Sequence, residues 1–200
     1  MKLIFKDEVI QFDTQPTVEV MLNKINQLLD NHYYFSHLIV DDKEVFDDPE
    51  RYLQDYLSGI REIEIVAKTV KQFINDLLLS AKEYIRRAKP EIDSLSDEFY
   101  QNPTHESWHK FTQLLEGIQW INQVIQTIDT TKEKPKNWMN YIDLISTLDS
   151  ELKNMEEAIE NSDSVLIADL IKYEILSIIE SLGSEIQSTI DTEGYHHDLN

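Results

Sequence analysis

The chain has 200 residues, 41% of them apolar and 10% aromatic, enough for one large or two small packed cores. A formal net charge of −20 sets most of the surface against nucleic-acid phosphates and anionic lipid, so no nucleic acid and no membrane is expected as a partner. The absence of cysteine excludes disulfides, thiolate catalysis and Cys-based metal centres, and neither a signal-like apolar run at Met1–Asp7 nor an uncharged stretch of about 18 residues is present, so a cytoplasmic protein is expected.

Leu3 and Phe5 alternate with Lys2 and Lys6, and Val9-Ile10-Gln11-Phe12 follows the acidic turn Asp7-Glu8, which predicts a β-hairpin. Pro16-Thr17 then opens a helix. Thr17 suits the N-cap, and Val18, Met21, Leu22, Ile25, Leu28 and Leu29 recur at three- and four-residue steps to form one apolar stripe. Leu38-Ile39-Val40 reads as a third strand, Asp41-Asp42 as a turn, Lys43-Glu44-Val45 as a short fourth strand and Ile63-Glu64-Ile65-Val66 as a fifth.

This order resembles the ubiquitin-like β-grasp family over residues 1–68. Pro16-Thr17-Val18-Glu19 is similar to the family's helix start, Leu38 to Lys43 to its third strand and tight turn, and Leu53-Gln54-Asp55-Tyr56 to its Leu-x-Asp-Tyr turn. The resemblance implies that Asp55 and Tyr56 are fold determinants, the tyrosine hydroxyl bonding back to nearby backbone. It also implies a binding patch on the third and fifth strands, carried here by Ile39 and Val66, with Glu64 where ubiquitin has histidine. Strand alternation agrees for Ile39, since Leu38 and Val40 point the other way. Two readings stay open, a patch free for a partner or one covered by the chain's own helices. Ala67-Lys68-Thr69 stands in place of a glycine tail, so a conjugated modifier is not expected.

The remainder is patterned as helices. Val70, Ile74, Leu77, Ala81, Tyr84 and Ala88 form a strict heptad, and Pro90 is expected to end that helix or to begin a short one around Ile92–Tyr100. Trp108, Phe111, Leu114, Leu115, Ile118, Ile121, Ile125 and Ile128 mark a second long helix. A third carries Trp138, Tyr141, Ile145, Leu148, Leu152, Met155 and Ile159, and a fourth Ile167, Ile171, Ile175, Ile178, Leu182, Ile186 and Ile190. The fold class is therefore α+β: a β-grasp head at 1–68, an acidic antiparallel bundle of four long helices plus a short one at 69–192, and a polar tail at 193–200. Gly117 and Gly183 fall in mid-helix, each at a cost of about 1 kcal/mol relative to alanine, which points to a close helix crossing or to a groove.

One string has metal-site spacing. In His105-Glu106-Ser107-Trp108-His109, two histidines one helical turn apart can chelate zinc while the glutamate activates a bound water. Pro103-Thr104, however, places His105 in the first turn, and on a helical projection both histidines fall away from the Trp108–Phe111–Leu115 stripe. A third ligand would have to come from Asp143, Asp149 or Glu151, and no pattern selects one. The acidic turns at 41–44 and 47–50 lack the alternating ligands and central glycine of a calcium loop. Lys82, Arg86, Arg87 and Lys89 form a basic cluster that can complement a helix dipole or dock an acidic segment.

Surplus apolar surface without paired catalytic groups leads to the expectation of a non-enzymatic interaction protein, an adaptor, assembly factor or small chaperone, with no cofactor and with another protein or itself as partner. The alternatives are a zinc-dependent hydrolase built on His105, Glu106 and His109, and a structural homodimer formed through the helices.

Overall fold

The computed structural model describes residues 1–30 and 32–194, and the part of the expected polar tail at 195–200 lies outside the described residues. The chain divides into two compact units, one spanning Met1–Phe73 and the other beginning at Ile74. All five strands lie in the first unit and the helices dominate the second, which makes the class α+β.

In the first unit, strands β1 (Lys2–Phe5), β2 (Glu8–Gln11), β3 (Tyr33–Val40), β4 (Lys43–Val45) and β5 (Glu62–Thr69) form one mixed sheet in the order β2-β1-β5-β3-β4. The β1–β5 pair is parallel and the others are antiparallel. The fold of this unit is compatible with a β-grasp-like head. Helix α1 (Val18–Leu29) begins as its sequence predicts, the Thr17 side chain accepting a hydrogen bond from the Val20 amide at 3.3 Å. Met21, Ile25 and Leu29 of its stripe are buried in one core with Leu3, Phe5, Leu38, Val40, Ile63 and Ile65 from the inward face of the sheet.

Two features of this unit differ from the sequence expectation. Residues 49–56 form a helix, α2 (Pro49–Tyr56), started by Asp48, whose carboxylate accepts from the Arg51 amide, and by Pro49 in its first turn. Within it Leu53 is fully buried, whereas Tyr56 is 58% exposed and packs its ring on Tyr52. The fold-determining side chain of the Leu-Gln-Asp-Tyr segment is thus the leucine. Strand β5 also runs three residues further than Val66 and passes without a loop into helix α3 (Val70–Tyr100). The Thr69 hydroxyl accepts from the Gln72 amide at 3.2 Å, and the Gln72 side chain accepts from the Thr69 amide at 2.9 Å, a reciprocal cap that converts strand into helix at one residue.

The second unit is an antiparallel bundle. Its rods are α3, α4 (His105–Asp129), α5 (Trp138–Glu160) and a final rod made of α6 (Ser164–Asp169), a π-helical stretch (Leu170–Ile175) and α7 (Leu176–Glu193). Ring contacts of Tyr84 with Trp120 and of Phe99 with Trp108 and Phe111 run α3 antiparallel to α4. Ion pairs from Lys89 to Glu180 and from Lys172 to Asp97 set α3 antiparallel to the final rod. Between α5 and α7, the buried hydroxyls of Tyr141 and Thr189 lie 2.7 Å apart, and Asn137 Nδ2 donates to Glu185 Oε2 at 2.6 Å.

The expected break at Pro90 does not occur, and no separate short helix covers Ile92–Tyr100; α3 is continuous through both. Pro90 has no N–H for the Arg86 carbonyl, but its ring lies on the exposed side. The buried positions Ile74, Leu78, Ala81, Ile85, Ile92, Leu95 and Phe99 lie on one heptad that crosses Pro90 in register. That register also replaces Leu77 and Tyr84, which are half-buried, with Leu78 and Ile85 as inward residues. The expected register would have brought Glu91 into the core. In the final rod all seven expected isoleucine and leucine positions are buried. Ile167, Ile171 and Ile175 are spaced 4 and 4, steps that drift about 40° each around a 3.6-residue helix; the wider π turn keeps the three on one face.

Candidate functional site

The outward face of the sheet is built by alternation. Because Leu38, Val40, Ile63 and Ile65 are buried in the core, Ile39, Glu64 and Val66 must project from the opposite face. The register brings Ile39 directly opposite both Glu64 on β5 and Glu44 on β4, with Ile4 on β1 opposite Glu64. Val66 lies two residues further along β5, opposite His37. The three residues predicted from sequence therefore share one face, and Ile39 and Val66 are half-buried while Glu64 is exposed.

Two contributors escaped the sequence reading. His37 packs at a tilt on Phe46 with ring centroids 4.2 Å apart, places its Nε2 4.0 Å from Glu44 Oε1, and holds Nδ1 3.1 Å from the Ser36 hydroxyl. Its position two residues before Ile39 on the same strand was the available signal. Phe46, 59% exposed just beyond β4, carried no periodic signal. The face thus offers aliphatic and aromatic surface beside two carboxylates and an imidazole.

The H-E-x-x-H string starts α4. Thr104 caps the helix, its hydroxyl accepting from the Ser107 amide while Ser107 Oγ accepts from the Thr104 amide. His105, Glu106 and His109 are all exposed, and the Gln113 side-chain amide lies 3.4 Å from His109 Nε2. Of the string, it is Ser107 that is buried and Trp108 that packs on Phe99 and Phe111. Among the described residues, no three His, Cys, Asp or Glu side chains are grouped to hold a metal ion.

A cleft of about 400 Å³ lies between α3 and α4, floored by Ile92, Leu95 and Leu114, walled by Tyr84 and rimmed by Arg87 and Lys110. Gly117 explains it. A Cβ there would fall 1.5 Å from the Tyr84 hydroxyl, so the glycine admits the phenol against the α4 backbone. Gly183, by contrast, would meet only Ile85 Cγ2, at 3.2 Å. Both mid-helix glycines sit at helix crossings. Glu98, 2.5 Å from Lys110 Nζ, holds that ammonium above the ordinary lysine range, and burial pushes the Tyr84 phenol up, so one stays charged and the other neutral. In the basic cluster Arg86 is held by Glu83 through Nε at 2.9 Å and a second nitrogen at 2.8 Å, and Arg87 lies 3.6 Å from the same carboxylate.

Among the described residues no helix is long and apolar enough to cross a membrane. No curated protein and no solved structure matches the chain. Residues 76–185 match the model of the family described as Domain of unknown function (DUF8042). Those residues take in most of the bundle, from the first turns of α3 into α7, and just over half of the sequence. On that extent of match, the chain belongs to this family of unknown function.

Proposed function

We propose that the chain is a non-enzymatic cytosolic protein–protein interaction module, a ubiquitin-like head joined to an acidic helical bundle, acting as an adaptor, assembly factor or small chaperone. The observation that carries this reading is the outward face of the sheet, where Ile39 and Val66 stand side by side with Glu64, Glu44 and His37 instead of the all-polar surface a solvated sheet favours. The direct passage of β5 into α3 argues against a conjugated tag, since the strand has no free tail to donate.

The test is affinity capture from native cell extract with the wild-type chain and with an Ile39→Asp/Val66→Asp variant of unchanged circular dichroism. A stoichiometric partner held by the first and lost from the second is the expected result. Capture by both, or by neither, removes the sheet face from the reading.

A further inference from the structure

Large apolar side chains that remain exposed on a folded chain mark interaction surfaces when they are contiguous. At one corner of the bundle, Val165 (57% exposed), Leu166 (42%) and Tyr173 (62%) of the final rod are joined by Tyr100 (38%) from the end of α3. The Tyr100 hydroxyl donates to Asp169 Oδ1 and lies beside the Tyr173 hydroxyl, so the two elements are stitched together at this point. Between Leu166 and Tyr173 the surface dips into a hollow of about 330 Å³ with Leu170 at its base.

The rim has one sign. Asp169 and Glu174 line the hollow, and Asp163 caps the start of the rod, its Oδ1 accepting from the Leu166 amide at 3.0 Å. Lys172, the cation of this stretch, is turned toward α3, where Asp97 holds it at 3.0 Å and Asp93 at 3.6 Å. Val165 to Tyr173 spans nine residues, about 13 Å of rod, or two to three turns of a second helix laid alongside. Leu166, Leu170 and Tyr173 follow the four- and three-residue ridges into which another helix packs. The π-helical stretch that carries Leu170 and Tyr173 is a rare backbone form, frequent at functional sites.

We infer that this corner docks a cationic amphipathic helix of a partner protein, its apolar stripe seated over Leu166, Leu170 and Tyr173 and its lysines or arginines paired with Asp163, Asp169 and Glu174. The inference rests on the interaction-module reading and names the kind of partner for the bundle. Apolar contact supplies the affinity, the carboxylate rim speeds encounter and rejects acidic helices, and the exposed Tyr173 ring adds a face for a cation.

The test uses the full chain and two labelled 18-residue peptide helices, one of Leu and Lys, the other of Leu and Glu, followed by fluorescence anisotropy. Saturable binding of the Leu/Lys peptide, weakened at least tenfold by Leu166→Ser/Tyr173→Ser and several-fold by Asp163→Asn/Glu174→Gln, is the expected result. Met139→Ser, which alters an exposed apolar residue on α5, should leave it unchanged. Equal binding by Leu166→Ser/Tyr173→Ser and the wild type, equal binding of both peptides, or no binding at all overturns the inference. These substitutions are at exposed positions, and unchanged circular dichroism separates a lost surface from a lost fold. A partner captured through Ile39 and Val66 without peptide binding would remove the bundle surface alone; peptide binding without capture would remove the sheet-face reading alone.

Discussion

The sheet unit and the helical unit are packed from the same aliphatic residues, yet their inward faces were not equally legible. A strand has two faces, so once Leu38 and Val40 are assigned to the core, Ile39 has only one place to go. A helix turns about 100° per residue, and α3 carries apolar residues at both 77 and 78 and at both 84 and 85. Two heptads therefore coexist over its first half. What separates them is the second half, where only the register of Leu78 and Ile85 continues into Ile92, Leu95 and Phe99. A two-fold alternation resists error, while a seven-fold repeat read over a short window does not.

The largest expected effects probe that difference directly. Ile85→Ala should cost about 3–4 kcal/mol in chemical denaturation and Leu77→Ala about 1 kcal/mol, because the first empties a fully packed site and the second a half-open one. The matching pair in the sheet is Ile63→Ala, also at about 3–4 kcal/mol, against Ile39→Ala at under about 1 kcal/mol. Equal costs within either pair would break the inward assignment of that unit.

Gly117→Ala comes next. The added methyl displaces the Tyr84 phenol from its place toward the cleft, and a net loss of about 1 kcal/mol is expected after the roughly 1 kcal/mol gained in helix propensity. In a Tyr84→Ala background the same substitution should be neutral or stabilising, a sign change that a double-mutant cycle reads.

Tyr141 is a pH probe of the helical unit. Burial pushes its phenol from 10 up to about 12, so the unfolded chain ionises first. Its contribution is fully present below pH 10 and is lost as pH rises from 10 to about 12, by about 2–3 kcal/mol. Tyr141→Phe should flatten this alkaline loss while giving up about 1 kcal/mol at neutral pH with the Thr189 hydrogen bond. An unchanged alkaline slope would place the titrating group elsewhere.

The last effect is a gain. Pro90 is exposed inside a continuous helix, so Pro90→Ala restores a donor for the Arg86 carbonyl at no packing cost and should stabilise the chain by about 1–3 kcal/mol. Destabilisation would show that the proline shapes the helix for its neighbours.

Much of the candidate sheet face was legible: Ile39, Glu64 and Val66 follow from alternation and from the resemblance over residues 1–68. His37 was visible only as the residue two before Ile39, and Phe46 not at all, because a side chain beyond a strand end has no period to betray it. The histidines at 105 and 109 were legible as exposed, since the Thr104 cap and the Trp108 stripe orient the first turns of α4 by themselves. The Tyr100–Tyr173 corner was hidden, for it joins residues about seventy positions apart through a carboxylate.

Local sequence determined what depends on neighbours within a few residues: the strand alternation, the Thr17 and Thr104 caps, the apolar stripes and the acidic surface. Tertiary structure decided what depends on long-range packing. It chose the register of α3, carried that helix through Pro90 on the strength of a core stripe present on both sides, and put Tyr84 against Gly117. The physical reason is one of scale. A proline or glycine costs at most about 3 kcal/mol locally, and a continuous row of buried side chains at about 1.5–3 kcal/mol each outweighs it.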